Sequence, residues 1–242
     1  MDHMIYLSVA AAKATMQRQE VLAHNLANVS TNGFRAELAA FRAVPVEGDG
    51  SSTRVYALES TIGYSTEPGV VQSTGRHLDV AMKGNAWLAV QGLDGTEAYT
   101  RAGALEVNAE GLLVDVSGRQ VLGDGGPITV PPNAQVDIAA DGSVSARVAN
   151  GRPQTIGRLK LVTPETAFER GPDGLFRAPG AEPLPADPAA RLQPGALEGS
   201  NVSAVETMVG MIAAARQFEQ QMRLLKTAEE QDEAATKLLA AT

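Results

Sequence analysis

The sequence has 242 residues, enough for one large or two small domains with a buried core. It carries 28 acidic against 20 basic side chains, a formal charge of −8, which argues against a nucleic-acid partner because phosphates call for a basic surface. It has no cysteine, which excludes disulfides, thiolate nucleophiles and thiolate metal sites together.

The opening MDHMIYLSVAAAKATMQRQE has Lys13 and Arg18 among its apolar positions. It therefore does not read as a cleaved signal peptide, and if the protein leaves the cytoplasm, the expected route needs none. No run reaches the roughly 18 apolar residues of a membrane span. No Gly precedes Gly33 and no Pro precedes Pro45, which suits a long helix. Ile5, Val9, Ala12, Met16, Gln19, Ala23 and Leu26 recur at steps of four and three, a heptad seam with one polar member. Asn32-Gly33 supplies a left-handed stop. Residues 1–33 are thus predicted to be an N-terminal assembly helix.

The middle, 34–178, reads as β. Tyr56, Leu58, Ile62 and Tyr64 alternate, and short apolar runs follow at 86–90, 112–116, 127–130, 136–139 and 159–162. Asp94-Gly95, Asp124-Gly125, Asp141-Gly142, Asn150-Gly151 and Asp173-Gly174 punctuate them. Short strands broken by such pairs predict antiparallel hairpins rather than βαβ units. Trp87, the single tryptophan, lies in an apolar strand and is assigned to the core. Residues 179–199 are rich in proline and read as an irregular connector.

Residues 200–242 are predicted to form a second assembly helix paired with 1–33. Ala204, Met208, Met211, Ala215, Phe218, Met222 and Leu225 repeat at four and three, and Val205, Val209 and Ile212 widen the stripe. Ser203 and Glu206 form a capping box. Gly210 is the one weak interior position. A helix from 202 to 240 would run about 57 Å, beyond the diameter of a small domain. Its seam represents about 5–10 kcal/mol of burial after ordering costs. Two arrangements satisfy it: a helical hairpin on its own domain, or helices that find full cover only on neighbouring copies. The acidic stretch Glu229, Glu230, Asp232 and Glu233 is assigned to solvent.

Catalytic and ligand signatures do not emerge. His3, His24 and His77 form no metal-ligand spacing, and there is no nucleophile elbow, P-loop or dinucleotide fingerprint. Asp137, Asp141 and Gly142 make only half a calcium loop. No catalytic residue, metal or cofactor is therefore assigned.

Four blocks carry a resemblance. AHNLANVSTNGFRAE (23–37) resembles the N-terminal signature of flagellar basal-body rod and hook proteins, with His24 where that family most often has Asn. GALEGSNVSAVETMVGMIAAARQFEQQMRLLKT (195–227) resembles its C-terminal signature, and 78–92 and 98–123 resemble its β-region motifs. The opening MDHMIY, the block 41–55, and IGRLKLV with DGLFR are most like the family's proximal-rod members.

The resemblance implies an α+β protein: long N- and C-terminal helices forming a coiled-coil-like inner layer around a tube, with a central antiparallel all-β domain. It implies a non-enzymatic subunit in the periplasmic rod. Its partners would be copies of itself, other rod subunits and the flagellar type III export apparatus. The implied assembly surface comprises Ile5, Val9, Met16, Asn25, Leu26, Asn28, Gly33, Phe34, Glu198, Ser200, Asn201, Met208, Met211, Ala215, Arg216, Phe218, Glu219, Met222 and Leu225.

Within it, Asn25 and Asn28 suit free backbone groups at a helix end. Gly33 suits φ > 0, and Phe34 would anchor the chain to the body. Glu198, Ser200 and Asn201 suit capping at the start of the last helix. Arg216 and Glu219 suit an ion pair within or across subunits. The alternatives are a distal-rod or hook-junction subunit, and a secreted β-rich cell-wall-binding module or enzyme.

Overall fold

A computed structural model describes residues 2–45, 55–148 and 151–240, with the side chains of all these except 2–7, 41–45, 55–62, 232, 233, 235 and 238–240. The predicted positions Ile5, Tyr56, Leu58, Ile62, Asp232 and Glu233 therefore lie outside the described side chains, and Asn150 outside the described residues. The chain divides into two compact units. One comprises 1–29, 36–65 and 202–242, and the other 30–35 with 66–201.

The first unit holds α1 (Asp2–Ala27), a hairpin of β1 (Glu37–Pro45) and β2 (Val55–Tyr64), and α2 (Ala204–Ala240). The two helices pack on each other, and α1 also meets the hairpin. Small residues let them approach. Ala14 and Thr15 are buried on α1, and Thr207 and Ala214 on α2. A Cβ added at Gly210 would stand 3.3 Å from the Leu22 methyls. The position that looked weak in sequence is thus a contact point. The buried hydroxyls of Thr15 and Thr207 donate to the carbonyls of Ala11 and Ser203, at 2.9 and 2.8 Å, so both are satisfied within their own helices.

The second unit is β. It holds β3 (Val71–Ser73), β4 (Val80–Met82), β5 (Trp87–Gln91), β6 (Glu97–Thr100), β7 (Leu105–Val107), β8 (Leu113–Asp115), β9 (Leu122–Gly123) and β10 (Gly126–Pro127). There follow β11 (Gln135–Ile138), β12 (Ser143–Arg147), β13 (Gln154–Arg158), β14 (Leu161–Val162), β15 (Glu169–Arg170), β16 (Phe176–Arg177), β17 (Leu192–Pro194) and β18 (Ala196–Glu198). The order β14-β5-β6-β16-β15 makes the largest sheet and β11-β12-β13 a second, with two-stranded pairs between. The registered pairs are antiparallel.

Two predictions needed correction. The stretch 179–199 is not wholly an irregular connector: β17 pairs with β4 and β18 with β3, and Leu192 and Ala196 are fully buried. Its prolines concealed two strands because each runs only three residues. The run 127–130 contributes only Pro127 to a strand.

The core centres on Val80, Leu88, Val90, Leu105, Leu113 and Val144. Beside it, Trp87 meets Phe168 edge-on at 5.3 Å and Phe176 at 4.7 Å, and Tyr99 stacks on Phe168 at 4.7 Å. Truncating Leu88, which is completely buried, to Ala is expected to cost about 2–5 kcal/mol, read as a lowered urea midpoint at Trp87.

The Asp-Gly turns form as the sequence suggests at Gly95, Gly142 and Gly174, all at positive φ. At the last, Asp173 accepts from Arg177 at 3.0 and 2.8 Å and from the Leu175 N–H at 3.2 Å. Those Arg177 bonds chiefly hold its carboxyl below the usual range, against the opposing effect of burial. A depressed folded pKa stabilises above the unfolded value of about 3.9, and the contribution disappears as pH falls through the folded value. Asp173→Asn should therefore be less stable than the parent at pH 7, with the gap closing below about pH 4; urea titrations at pH 7 and pH 3 check this.

Candidate assembly surface and its buried anchor

Helix α2 shows an apolar face to solvent. Val205, Met208, Val209 and Ile212 are 68, 46, 62 and 55% exposed. Their spacing puts them on one side of the helix, opposite Thr207 and Ala214. The same side continues through Arg216 and Glu219, both exposed. Within the unit the buried line instead runs through Thr207, Met211, Ala214, Phe218 and Leu225. Met208 and Met222 therefore lie outside the intrachain seam, because threonine and alanine occupy the close-packed positions. Ala215 and Leu26 are half-buried. On α1, Val9 and Met16 are exposed, one heptad apart.

The end of α1 is tied to β1. Asn25, which is buried, uses both ends of its amide on one residue: Nδ2 donates to the Glu37 carbonyl at 3.0 Å, and Oδ1 accepts the Glu37 N–H at 2.8 Å. His24 Nδ1 lies 3.2 Å from Glu37 Oε2. Asn28 Nδ2 donates to the His24 carbonyl at 2.9 Å, the helix-end use expected of it. Asn25 is instead a clamp on the next strand.

The larger surprise is Glu198. It does not cap α2. The helix begins at Ala204, and Ser203 Oγ accepts from the Glu206 N–H at 3.4 Å. Glu198 is only 1% exposed and lies inside the β unit. Its Oε2 accepts from Arg101 Nε at 2.8 Å and Nη2 at 2.5 Å. Its Oε1 meets Arg35 Nη2 at 2.8 Å and accepts the Gly69 N–H at 3.0 Å. Four donors fill the carboxylate's capacity.

Arg101 is equally saturated. Its remaining bonds go to the carbonyls of Met82 at 3.1 Å, Gly84 at 2.9 Å and Ala86 at 2.5 Å. Arg35 also donates to the Glu67 carbonyl. Removing one member of such a buried charge group strands the others and costs about 3–5 kcal/mol.

Backbone contacts reinforce this cluster. The Gly33 N–H donates to the Glu198 carbonyl at 2.7 Å, and the Gly199 N–H to Val70 at 2.9 Å. Asn201 donates through its N–H to Phe34 at 3.3 Å and through Nδ2 to Glu67 at 2.8 Å. Neither amide bond is a helix cap. Ser200 is half-buried. Phe34 is buried beneath the Arg170 guanidinium, 4.6 Å above its ring.

Sequence reasoning missed Arg35 and Arg101. The one available signal was a pair of arginines beside turn glycines in blocks already singled out, and charge at such places usually means solvent. Asp137, the half-loop candidate, lies 2.8 Å from His77 Nδ1. Among the described residues no cluster of metal-ligating side chains occurs, and no helix is long and apolar enough to cross a membrane.

Family comparisons define the class. Residues 5–35 match the family model "Flagella basal body rod protein", 81–146 match "Flagellar hook protein FlgE/F/G D1 domain", and 193–238 match "Flagellar basal body rod FlgEFG protein C-terminal". The chain belongs to the flagellar basal-body rod protein family, whose members are structural subunits and not enzymes. Among its relatives, the flagellar basal-body rod protein FlgF of Salmonella typhimurium is 47% identical, over 99% of both chains. FlgF of Escherichia coli is 46% identical with the same coverage. The rod protein FlgG of Bacillus subtilis is 30% identical, over 93% of this chain and 95% of that one. These relatives favour neither the wall-binding nor the enzymatic alternative.

Gly33 tests the anchor. Its φ is +71°, and an added Cβ would fall 2.2 Å from the Arg101 carbonyl carbon. Gly33→Ala is expected to destabilise the β unit by about 2–4 kcal/mol, measured by chemical denaturation followed at Trp87.

Proposed function

We propose that this chain is a proximal-rod subunit that polymerises through its terminal helices into a tube, transmitting torque and enclosing an export channel. The observation that carries the reading is the solvent-facing apolar stripe of α2, Val205, Met208, Val209 and Ile212. Fully burying side chains of this kind is worth about 1.5–3 kcal/mol each. An isolated chain leaves that free energy unused, and neighbouring subunits in a close-packed layer would recover it.

The high identity to FlgF proteins, against the lower identity to FlgG of Bacillus subtilis, supports the proximal position over the distal one. The partners are copies of this chain and other rod subunits. The rod reading carries with it passage through the flagellar type III apparatus to a periplasmic rod, as the family resemblance implies. The assembly surface includes the exposed members of the two helices, Val9, Met16, Met208, Arg216, Glu219 and Met222. The junction residues Gly33, Phe34, Glu198 and Asn201 support it from within the β unit.

Charging the stripe separates assembly from folding. The double substitution Val209→Asp with Ile212→Asp changes two exposed positions, so helicity and Trp87 emission should stay near the parent's. Incorporation into isolated basal bodies should fall at least tenfold. Undiminished incorporation of the charged variant would remove the basis for this reading.

A further inference from the structure

The three charged residues buried around Glu198 have a use that their contribution to stability does not explain. An ion cluster in a protein interior is often no more stable than apolar side chains of the same volume. What it adds is direction, because each bond has a required angle and distance. Here those directed bonds end on backbone. Arg101 holds the carbonyls of Met82, Gly84 and Ala86, Arg35 holds that of Glu67, and Glu198 holds the N–H of Gly69.

The segments so fixed border the places where the chain passes between the two units. The passages fall at 29/30, 35/36, 65/66 and 201/202. Arg35 is the last residue before the second. Glu67 and Gly69 follow the third. Glu198 shortly precedes the fourth, and Asn201, the last residue before it, bonds to Phe34 and Glu67. The packing leaves no slack, since a Cβ on Gly69 would fall 2.0 Å from the Gly199 carbonyl oxygen.

We propose that Arg35, Arg101 and Glu198 are positioning residues for assembly: their closed charge cluster fixes, within the β unit, three of the four points at which the chain passes to or from the unit that holds the helices. All three side chains are buried, 3, 2 and 1% exposed for Arg35, Arg101 and Glu198. The cluster acts by fixing those points within the β unit, and the proposal rests on the rod reading above.

The test uses the full chain with Glu198→Gln, which keeps the shape and removes the charge, and Arg35→Lys, which keeps the charge and removes the planar fork. Two measurements are made: residue-resolved amide exchange, and incorporation into isolated basal bodies. The expected result is at least tenfold faster exchange at Gly33, Gly69 and Asn201, with β5 and β6 amides and Trp87 emission unchanged and incorporation reduced at least tenfold. Should Glu198→Gln fail to fold, Arg35→Lys must show the same local loosening and the same loss of incorporation.

The proposal is overturned if those three amides keep their parental rates, if all core amides accelerate together, if both variants unfold, or if a loosened variant is incorporated like the parent. The rod reading is judged separately. It stands if the parent is incorporated and the charged-stripe variant is not, and it falls if the parent itself is not incorporated.

Discussion

A carboxylate without solvent must be surrounded by donors, and Glu198 meets that requirement with groups drawn from three distant parts of the sequence. Arg35, Gly69, Arg101 and Glu198 itself converge on one point. The desolvation of three charges demands this convergence, because any missing donor leaves a charge in a medium that cannot stabilise it. The β unit therefore cannot be closed by the middle of the chain alone. It needs the residues that follow α1 and those that precede α2. The cluster thus gives a physical reason for the segment after α1 and the segment before α2 to be held together within the β unit.

The helices follow a different rule. Their mutual contact uses small residues, Ala14, Thr15, Thr207, Gly210 and Ala214, which bury little apolar area each. Met211, Phe218 and Leu225 are only half-buried along that seam, and Val205, Met208, Val209 and Ile212 lie on the opposite side, where a lone molecule can do nothing with them. An intrachain seam of alanine and threonine with a wet face of valine, methionine and isoleucine is a poor solution for a monomer. It is a workable one for a subunit in a close-packed layer.

Much of this architecture was legible in the sequence. The Pro-free ends marked both helices, the Asp-Gly pairs marked real turns, and the left-handed Gly33 followed from its neighbours. The α+β class and antiparallel body appeared as predicted. The heptad reading of α2 identified an amphipathic helix but could not distinguish the face that meets α1 from the face that meets water. Both carry apolar residues at spacings of three and four, and only the size of the space beside α1 separates them. The prolines of 179–199 hid two three-residue strands. Glu198 looked like a cap because an acid near a helix start usually is one. Its real partners, Arg35 and Arg101, are far away in sequence, and no local pattern announces a charge cluster assembled by tertiary folding.

The claim that the outward helical face is covered in the working state can be measured through methionine. Met16, Met208 and Met222 are about half exposed in the single chain, whereas Met82 is 3% exposed. Mild peroxide converts accessible thioethers to sulfoxides, so mass spectrometry of the free subunit and of isolated basal bodies compares the same side chains in the two states. The prediction is ready oxidation of Met16, Met208 and Met222 in the free chain, protection of all three by at least severalfold in the basal body, and an inert Met82 in both. Equal oxidation of the three helical methionines before and after assembly would contradict it.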